Sequence, residues 1–399
     1  MSATTLSEPL AERGFDRREV AGAFGDIGVL FPIAIALITL NHMNPTAVFL
    51  AAGLAYILAG RYYRIPIAVE PFKAVAAIAL ALSLAPSAIA SAGLLMGILL
   101  ALIGLTNVAD RLAKLFTLPV VRGIQLGLGL LLVREGLHLL ASPNATEVLG
   151  GRLRLSGWVV ALGAAALLFA FQSSKRFPAA LVLLVAGMLE GLATEWGRLP
   201  AWHWGPLPLE LLHPRMMELW RVIPLLVIPQ FALTFGNSIV ATENTARILY
   251  GEQARRVTVR ALTLSIAAIN LASSAILGSP MCHGSGGITA HYRFGARTEK
   301  ASYVIGGVCL LLALFGGAAI GLLNLIPLAV LAVFLIYVGL RHAAYLSDIA
   351  HRTPWLLIAV VVGLVSLWTT NLTWGFLVGM ALEGLSRLVA KFRAARALS

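Results

Sequence analysis

The chain has 399 residues, of which 59% are hydrophobic and only 12% charged, about half the charge density of a soluble domain. So little charge cannot cover a water-facing surface of this size, which excludes a soluble globular domain. The formal net charge of +12 points to membrane topology and away from nucleic acid, because of where the basic residues fall.

Residues 1–19 are polar and charged, lack the apolar core of a signal peptide, and are expected to form a cytoplasmic N-terminal segment. At roughly 20 apolar residues per span, the runs that follow predict an all-α polytopic membrane protein with fourteen transmembrane segments. Passes near 20–40, 45–61, 65–84 and 87–109 make up the block 20–109, and passes near 118–140, 155–173 and 177–196 the block 118–196. Passes near 219–246, 257–276, 279–293 and 301–322 fill 219–322. Passes near 324–341, 354–369 and 371–390 fill 324–390 and leave a basic tail, 391–399. Trp202, Trp204, Trp368 and Trp374 suit interfacial anchors.

The basic residues alternate with this count. Arg13, Arg17, Arg18, Arg61, Arg64, Arg111, Lys114, Arg122, Lys175 and Arg176 fall on one side in the first half, as do Arg247, Arg255, Arg256, Arg260, Arg293, Arg297, Lys300, Arg341, Arg352 and the tail in the second. Arg152, Arg154, Arg198, Arg215 and Arg221 fall on the other. The positive-inside rule then puts both termini in the cytoplasm of a multi-pass protein of the inner (cell) membrane.

A faint internal repeat accompanies the count. "FGDIGV" at 24–29 resembles "FGNSIV" at 235–240, "PIAVEPFKAVAA" at 66–77 aligns with "PMCHGSGGITAH" at 280–291, and "LP" at 118–119 with "IP" at 326–327. The offsets are nearly constant, so the passes divide seven plus seven. An odd number per copy makes the repeat inverted, an architecture of secondary transporters.

Passes 3 and 10 depart from plain helix. Ile65 to Val69 alternates like a strand and Pro71 opens a helix better than it continues one, so 66–69 is expected to be extended and 70–84 a half-helix. In pass 10, 278–283 is expected to be extended, with a half-helix from Gly284. Two such N-termini meeting at mid-membrane present unpaired amides and partial positive charge, which attract an anion. Gly284, Gly286 and Gly287 keep Cβ atoms out of the way, the alternative being tight helix packing. Cys282, His283 and Ser285 offer neither a metal cluster nor an activated nucleophile, so neither metal, cofactor nor enzyme chemistry is expected.

Charged groups at membrane depth are functional candidates by default. Glu70 and Lys73 open half-helix 3 with Phe72 between them: Glu70 is a candidate proton carrier and Lys73 a candidate anion partner, unless they merely neutralise one another as an i,i+3 pair. Asp26, with Asn237 at the matching repeat position, and Glu243 are further coupling candidates, though Asp26 also suits a cap and Glu243 an interfacial site. Gln230, Asn237, Ser238, His283 and Ser285 complete the candidate substrate contacts; interhelical hydrogen bonding is the plainer role for the first three, and bonding the unwound backbone for His283. Arg134, Glu135 and His138 suit a structural network.

With "GAFGDIGVLFP" (22–32), "PIAVEPFKAVAAIA" (66–79), "PQFALTFGNSIVA" (229–241) and "PMCHGSGGITAHYRFGARTE" (280–299) in place, the chain resembles the molybdate transporter family of the sulfate-permease superfamily. The resemblance implies a core domain of passes 1–4 and 8–11, a gate domain of passes 5–7 and 12–14, and substrate between the half-helices of passes 3 and 10, carried by an elevator-like motion. It implies import of molybdate, with sulfate or tungstate as related substrates. Where the family pattern has glutamine before the proline and methionine after it, this chain has Glu70 and Phe72. An acid facing a dianion is unfavourable unless protonated, so a proton is the expected coupling ion and sodium the other candidate. A nucleobase–proton symporter of the same fold and an anion channel are the alternatives. The other partners expected are the lipid bilayer and, as a candidate assembly, a second copy in a homodimer.

Overall fold

The structure, a computed structural model, describes residues 17–106, 108–113, 117–145, 147–149, 153–172, 174, 179–194 and 205–397. The N-terminal segment up to residue 16, Lys114, Arg152, Lys175, Arg176, Arg198, Trp202 and Trp204 lie outside the described residues.

The first apolar run divides into α1 (Arg17–Ala23), a 3-10 turn (Phe24–Asp26) and α2 (Ile27–Thr39), which places Asp26 inside the run, buried. Helix α3 (Pro45–Tyr63) starts on Asn44, whose side chain accepts from the Ala47 amide at 3.2 Å, with Pro45 in the first turn where its missing N–H costs nothing. The chain then runs extended to β1 (Glu70–Pro71) and enters α4 (Lys73–Ala81). Next come α5 (Pro86–Leu105), α6 (Ala109–Ala113), α7 (Leu118–Ala141), the short strands β2 (Glu147–Leu149) and β3 (Leu153–Leu155), α8 (Gly157–Phe171) and α9 (Ala179–Thr194).

The second half opens on one long helical run. It comprises α10 (Met216–Val222), α11 (Ile228–Leu233) and α12 (Ala241–Tyr250), joined through π-helical segments at Ile223–Val227 and Thr234–Val240. Pro224 and Pro229 lack the amide that a regular α-ladder needs, and single π turns of this kind concentrate at functional positions. Then follow α13 (Val259–Ala275), β4 (Met281–Cys282), α14 (Ser285–Arg293), α15 (Lys300–Leu314), α16 (Gly316–Asn324), α17 (Leu328–Ala343), α18 (Thr353–Thr369) and α19 (Leu372–Ala397).

A helix therefore lies in every range expected to hold one. By length and composition, six described helical runs suffice to cross a bilayer, and a seventh if α15 and α16 count together. Two expectations change. The run 301–322 is no straight helix: α15 and α16 meet at 84°, where Gly316 lets Thr46 approach so closely that a Cβ would collide with its hydroxyl. Half-helix 3 begins at Lys73 instead of Glu70, because Glu70 and Pro71 are taken by a strand pairing that local sequence does not announce.

That pairing organises the centre. Strands β1 and β4 run antiparallel, Glu70 opposite Cys282 and Pro71 opposite Met281, and the Phe72 amide extends the ladder to the Pro280 carbonyl at 2.8 Å. Side chains satisfy several further groups of the unwound backbone, as burial demands. Asn270 of α13 accepts from the Met281 amide (3.0 Å) and donates to its carbonyl (2.7 Å), and Ser302 of α15 accepts from the Ile67 amide at 3.2 Å. Around this centre α3 packs on α15 and α13 on α5, while α7 packs on α17 and α18.

Candidate functional site

Helices α4 and α14 both start at the paired strands, so their N-terminal ends meet in one place. Their first-turn amides have different fates. Gln230 of α11 turns its Oε1 into the end of α4 and accepts from Ala74 (3.0 Å) and Val75 (3.4 Å), while its amide nitrogen donates to Thr234 at 3.0 Å. At α14, the N-cap Gly284 has no side chain to offer, and among the described residues no side chain accepts from the first-turn amides.

What stands at the α14 end is a carboxylate. Glu70 is fully buried, forms an ion pair with Lys73, and lies where a Cβ on Gly284 would strike both its oxygens. Beyond the Lys73 ammonium, no described donor reaches either Glu70 oxygen. Asp26 is the second acid here. The Tyr56 hydroxyl donates to its Oδ2 at 2.9 Å, whereas Oδ1 has no hydrogen-bond partner among the described residues and would stand 2.6 Å from a Cβ on Gly287. Any side chain at 284 or 287 would thus fill the space between the helix end and the two acids.

A cavity of about 190 Å³ opens beside this cluster. Asp26, Glu70, Lys73 and Gly286 line it from one side, and Tyr337, Arg341, His342 and Tyr345 from the other. The Tyr345 hydroxyl would stand 3.1 Å from a Cβ on Gly286. Lys73, Arg293 and Arg341 make its charged lining more cationic than anionic. The arrangement can hold a compact anion on one ammonium and a row of amides, and can exchange that anion for its own carboxylate.

The remaining sequence candidates sort by position. Asn237 and Ser238 lie in the π-helical segment behind α14. Asn237 Oδ1 accepts from the Ser285 hydroxyl (3.3 Å) and from Gln125 of α7 (3.2 Å), and Arg122 donates to Gln125 at 2.8 Å while pairing with Asp348. A polar chain thus runs from α7 to the first residue of α14. His283 spends both ring nitrogens on the break itself, at 2.9 Å from the Ala68 carbonyl and 2.7 Å from the Ser265 hydroxyl. Phe72 is buried as the N-cap of α4. Glu243 is not brought to the cavity; it pairs with Arg247 one turn along α12, at 2.8 Å. Arg134 donates to Thr370 at 3.0 Å, in keeping with a structural network.

Sequence reasoning passed over Tyr56, Gln125, Tyr337, His342 and Tyr345, and counted Arg341 only as a topological charge. The run "YVGLRHAAY" at the end of α17 carried a signal, since aromatic and basic residues crowd there after an apolar helix.

Comparison with known proteins places the chain. A family model described as "Molybdate transporter of MFS superfamily" matches residues 18–132 and 223–341, and the chain belongs to that family. It is 28% identical to "Molybdate transporter 2" of Arabidopsis thaliana, over 93% of this chain and 87% of the relative. Among solved structures, the transmembrane domain of the cyanobacterium bicarbonate transporter BicA superposes with a TM-score of 0.65 at 17% identity, covering 92% of this chain and 98% of that one. The inward-facing murine Solute Carrier 26 family member A9 anion transporter superposes with a TM-score of 0.67 at 15% identity, covering 96% of this chain and 70% of that one. The chain therefore shares the helical fold of these two solved structures.

Proposed function

We propose that this family member is a secondary active importer of a tetrahedral oxyanion, molybdate foremost and sulfate or tungstate as relatives, driven by a co-transported proton. The observation that carries the proposal is Glu70, a carboxylate placed between Lys73 and the open end of α14 where a substrate anion would sit. While Glu70 is charged it neutralises Lys73. Once it takes a proton, Lys73 is released and the seat gains the positive charge a dianion needs. Proton and anion therefore enter together, and loss of the proton to the cytoplasm returns Glu70 to Lys73 as the anion leaves. Asp26, beside Gly287, is a second proton site in the same seat, and Lys73, Ser285, Gly286 and Gly287 are the direct anion contacts.

The architecture we assign is fourteen passes in two inverted repeats. The reciprocal packing of α3 on α15 and α13 on α5, and the antiparallel β1–β4 pair, support it. Passes 1–4 and 8–11 form a core that carries the seat, and passes 5–7 and 12–14 a gate. The core slides against the gate in an elevator-like cycle, and the 190 Å³ cavity between Lys73 and Arg341 is its cytoplasmic exit.

Purified protein in liposomes tests this. An inwardly directed proton gradient is expected to drive saturable molybdate accumulation that a protonophore abolishes, and Glu70→Gln is expected to bind molybdate while losing the response to the gradient. Gradient-driven accumulation that survives Glu70→Gln intact removes Glu70 from coupling; dependence on sodium alone reassigns the ion. Thermal stabilisation by uracil or xanthine with none by any oxyanion makes the chain a nucleobase carrier, and large single-channel currents make it a channel.

A further inference from the structure

Another cavity lies on the flank of α3 and α13, apart from the residues around Glu70 and Lys73. It is a groove of about 770 Å³ bounded by Leu54, Leu58 and Tyr62 of α3 and by Leu264, Ala268 and Ala272 of α13. From Leu50 to Tyr62 it follows α3 for about 18 Å at 1.5 Å per residue, somewhat more than the ~15 Å half-thickness of a bilayer's hydrocarbon core. Leu54, Leu58 and Tyr62 are 46%, 63% and 52% exposed, so α3 turns large apolar groups outward there.

At the Tyr62 end the groove meets a second cavity of about 490 Å³, and Leu58 and Tyr62 belong to both. Its polar lining is Arg61, Arg64 and Arg256, with Tyr303 and a single acid, Glu299. Arg61 and Arg64 have no ion-pair partner among the described residues. Arg64 is fixed by the left-handed turn that ends α3 (φ 59°). Arg256, in the 3-10 turn before α13, donates to the Tyr62 carbonyl at 2.9 Å, tying that turn to the end of α3. An apolar slot about one leaflet deep, ending in three arginines against one carboxylate, is complementary to a lipid with a negatively charged head.

We propose that this flank binds an anionic phospholipid, its phosphate on Arg61, Arg64 and Arg256 and one acyl chain in the groove between α3 and α13. Basic pockets between membrane helices take such heads. The place matters mechanically, because α3 runs into the extended segment before β1 and α13 into the one before β4. The lipid would splint the two helices that deliver both half-helices. Ser265 on the groove floor touches His283 at the break, at 2.7 Å.

The test uses the full chain purified in detergent, with lipid retention read by native mass spectrometry. Phosphatidylglycerol is expected to stay bound where phosphatidylcholine is lost. Arg61→Gln, Arg64→Gln and Arg256→Gln are each expected to weaken retention about fivefold, at about 1 kcal/mol per basic residue. Arg387→Gln, an exposed arginine already paired with Glu383, is expected to change nothing. Ala268→Phe, which fills the groove and spares the arginines, is expected to weaken retention as well, and inorganic phosphate at millimolar concentration is expected not to displace the lipid. Equal retention of the two lipids by the unaltered protein overturns the proposal, as does undiminished retention in the triple arginine variant. Displacement by phosphate, or indifference to Ala268→Phe, shows a head-only anion site and overturns it too. The comparison of lipids on the unaltered protein decides the matter even if a variant fails to fold.

Discussion

Helices α4 and α14 arrive at the same point by the same device, a short strand after an extended run, yet their ends are finished differently. Gln230 closes the end of α4 with two hydrogen bonds, whereas α14 begins at a bare glycine facing Glu70. A helix N-terminus attracts an anion only while its amides are free. Under the proposed function the contrast would divide the work: α4 would contribute charge through Lys73, and α14 would contribute amides. Two helix ends that meet at one strand pair need not be finished alike.

The division is open to attack, most forcefully at Lys73. Lys73→Ala is expected to lower stability by about 3–5 kcal/mol, because it strands the buried Glu70 carboxylate. The double variant Lys73→Met/Glu70→Gln is expected to recover most of that loss in thermal unfolding, although not oxyanion binding. A single variant as stable as the parent would mean that Glu70 is neutral at rest. Next comes the open end of α14. Gly284→Ala pushes a methyl against the Glu70 carboxylate, and oxyanion affinity is expected to fall about ten- to a hundredfold, for an overpacking cost of about 1–3 kcal/mol.

The matched change at the closed end should behave otherwise. Gln230→Leu is expected to cost about 1–2 kcal/mol of stability as a lost cap, with affinity in equilibrium binding within about threefold of the parent. A loss of binding as large as that of Gly284→Ala would show that both ends serve the anion. Asn237→Ala cuts the chain from Gln125 to Ser285 and is expected to cost about 1 kcal/mol; its signature is altered turnover at preserved affinity. The smallest effect belongs to Glu243→Gln, whose exposed pair with Arg247 is worth at most about 0.5 kcal/mol. Uptake by that variant is expected to keep its full pH dependence, and losing it would return Glu243 to the coupling path.

Much of this was legible in the chain. Composition demands a membrane, because 12% charge cannot solvate 399 residues, and helices are what an isolated apolar segment forms where no water pairs its backbone. Pro71 and the glycines at 284, 286 and 287 mark the two breaks, since proline and glycine act through their own backbones and need no neighbour. The acid and base at 70 and 73 announce themselves by the cost of charge at that depth.

What one-dimensional pattern could not supply was partnership across the chain. That Glu70 pairs in a strand with Cys282, that Gln230 stoppers α4 while α14 stays open, and that Tyr345 faces Gly286 all depend on segments separated by tens to hundreds of residues. His283 looked as ready to hold an anion as to hold the backbone, and only the fold shows that its ring nitrogens meet the Ala68 carbonyl and the Ser265 hydroxyl. Local propensity acts within a few residues and is written in the sequence. Hydrogen-bond partners in a dry interior are decided when the segments meet, because every buried polar group takes whichever partner the packing brings within reach.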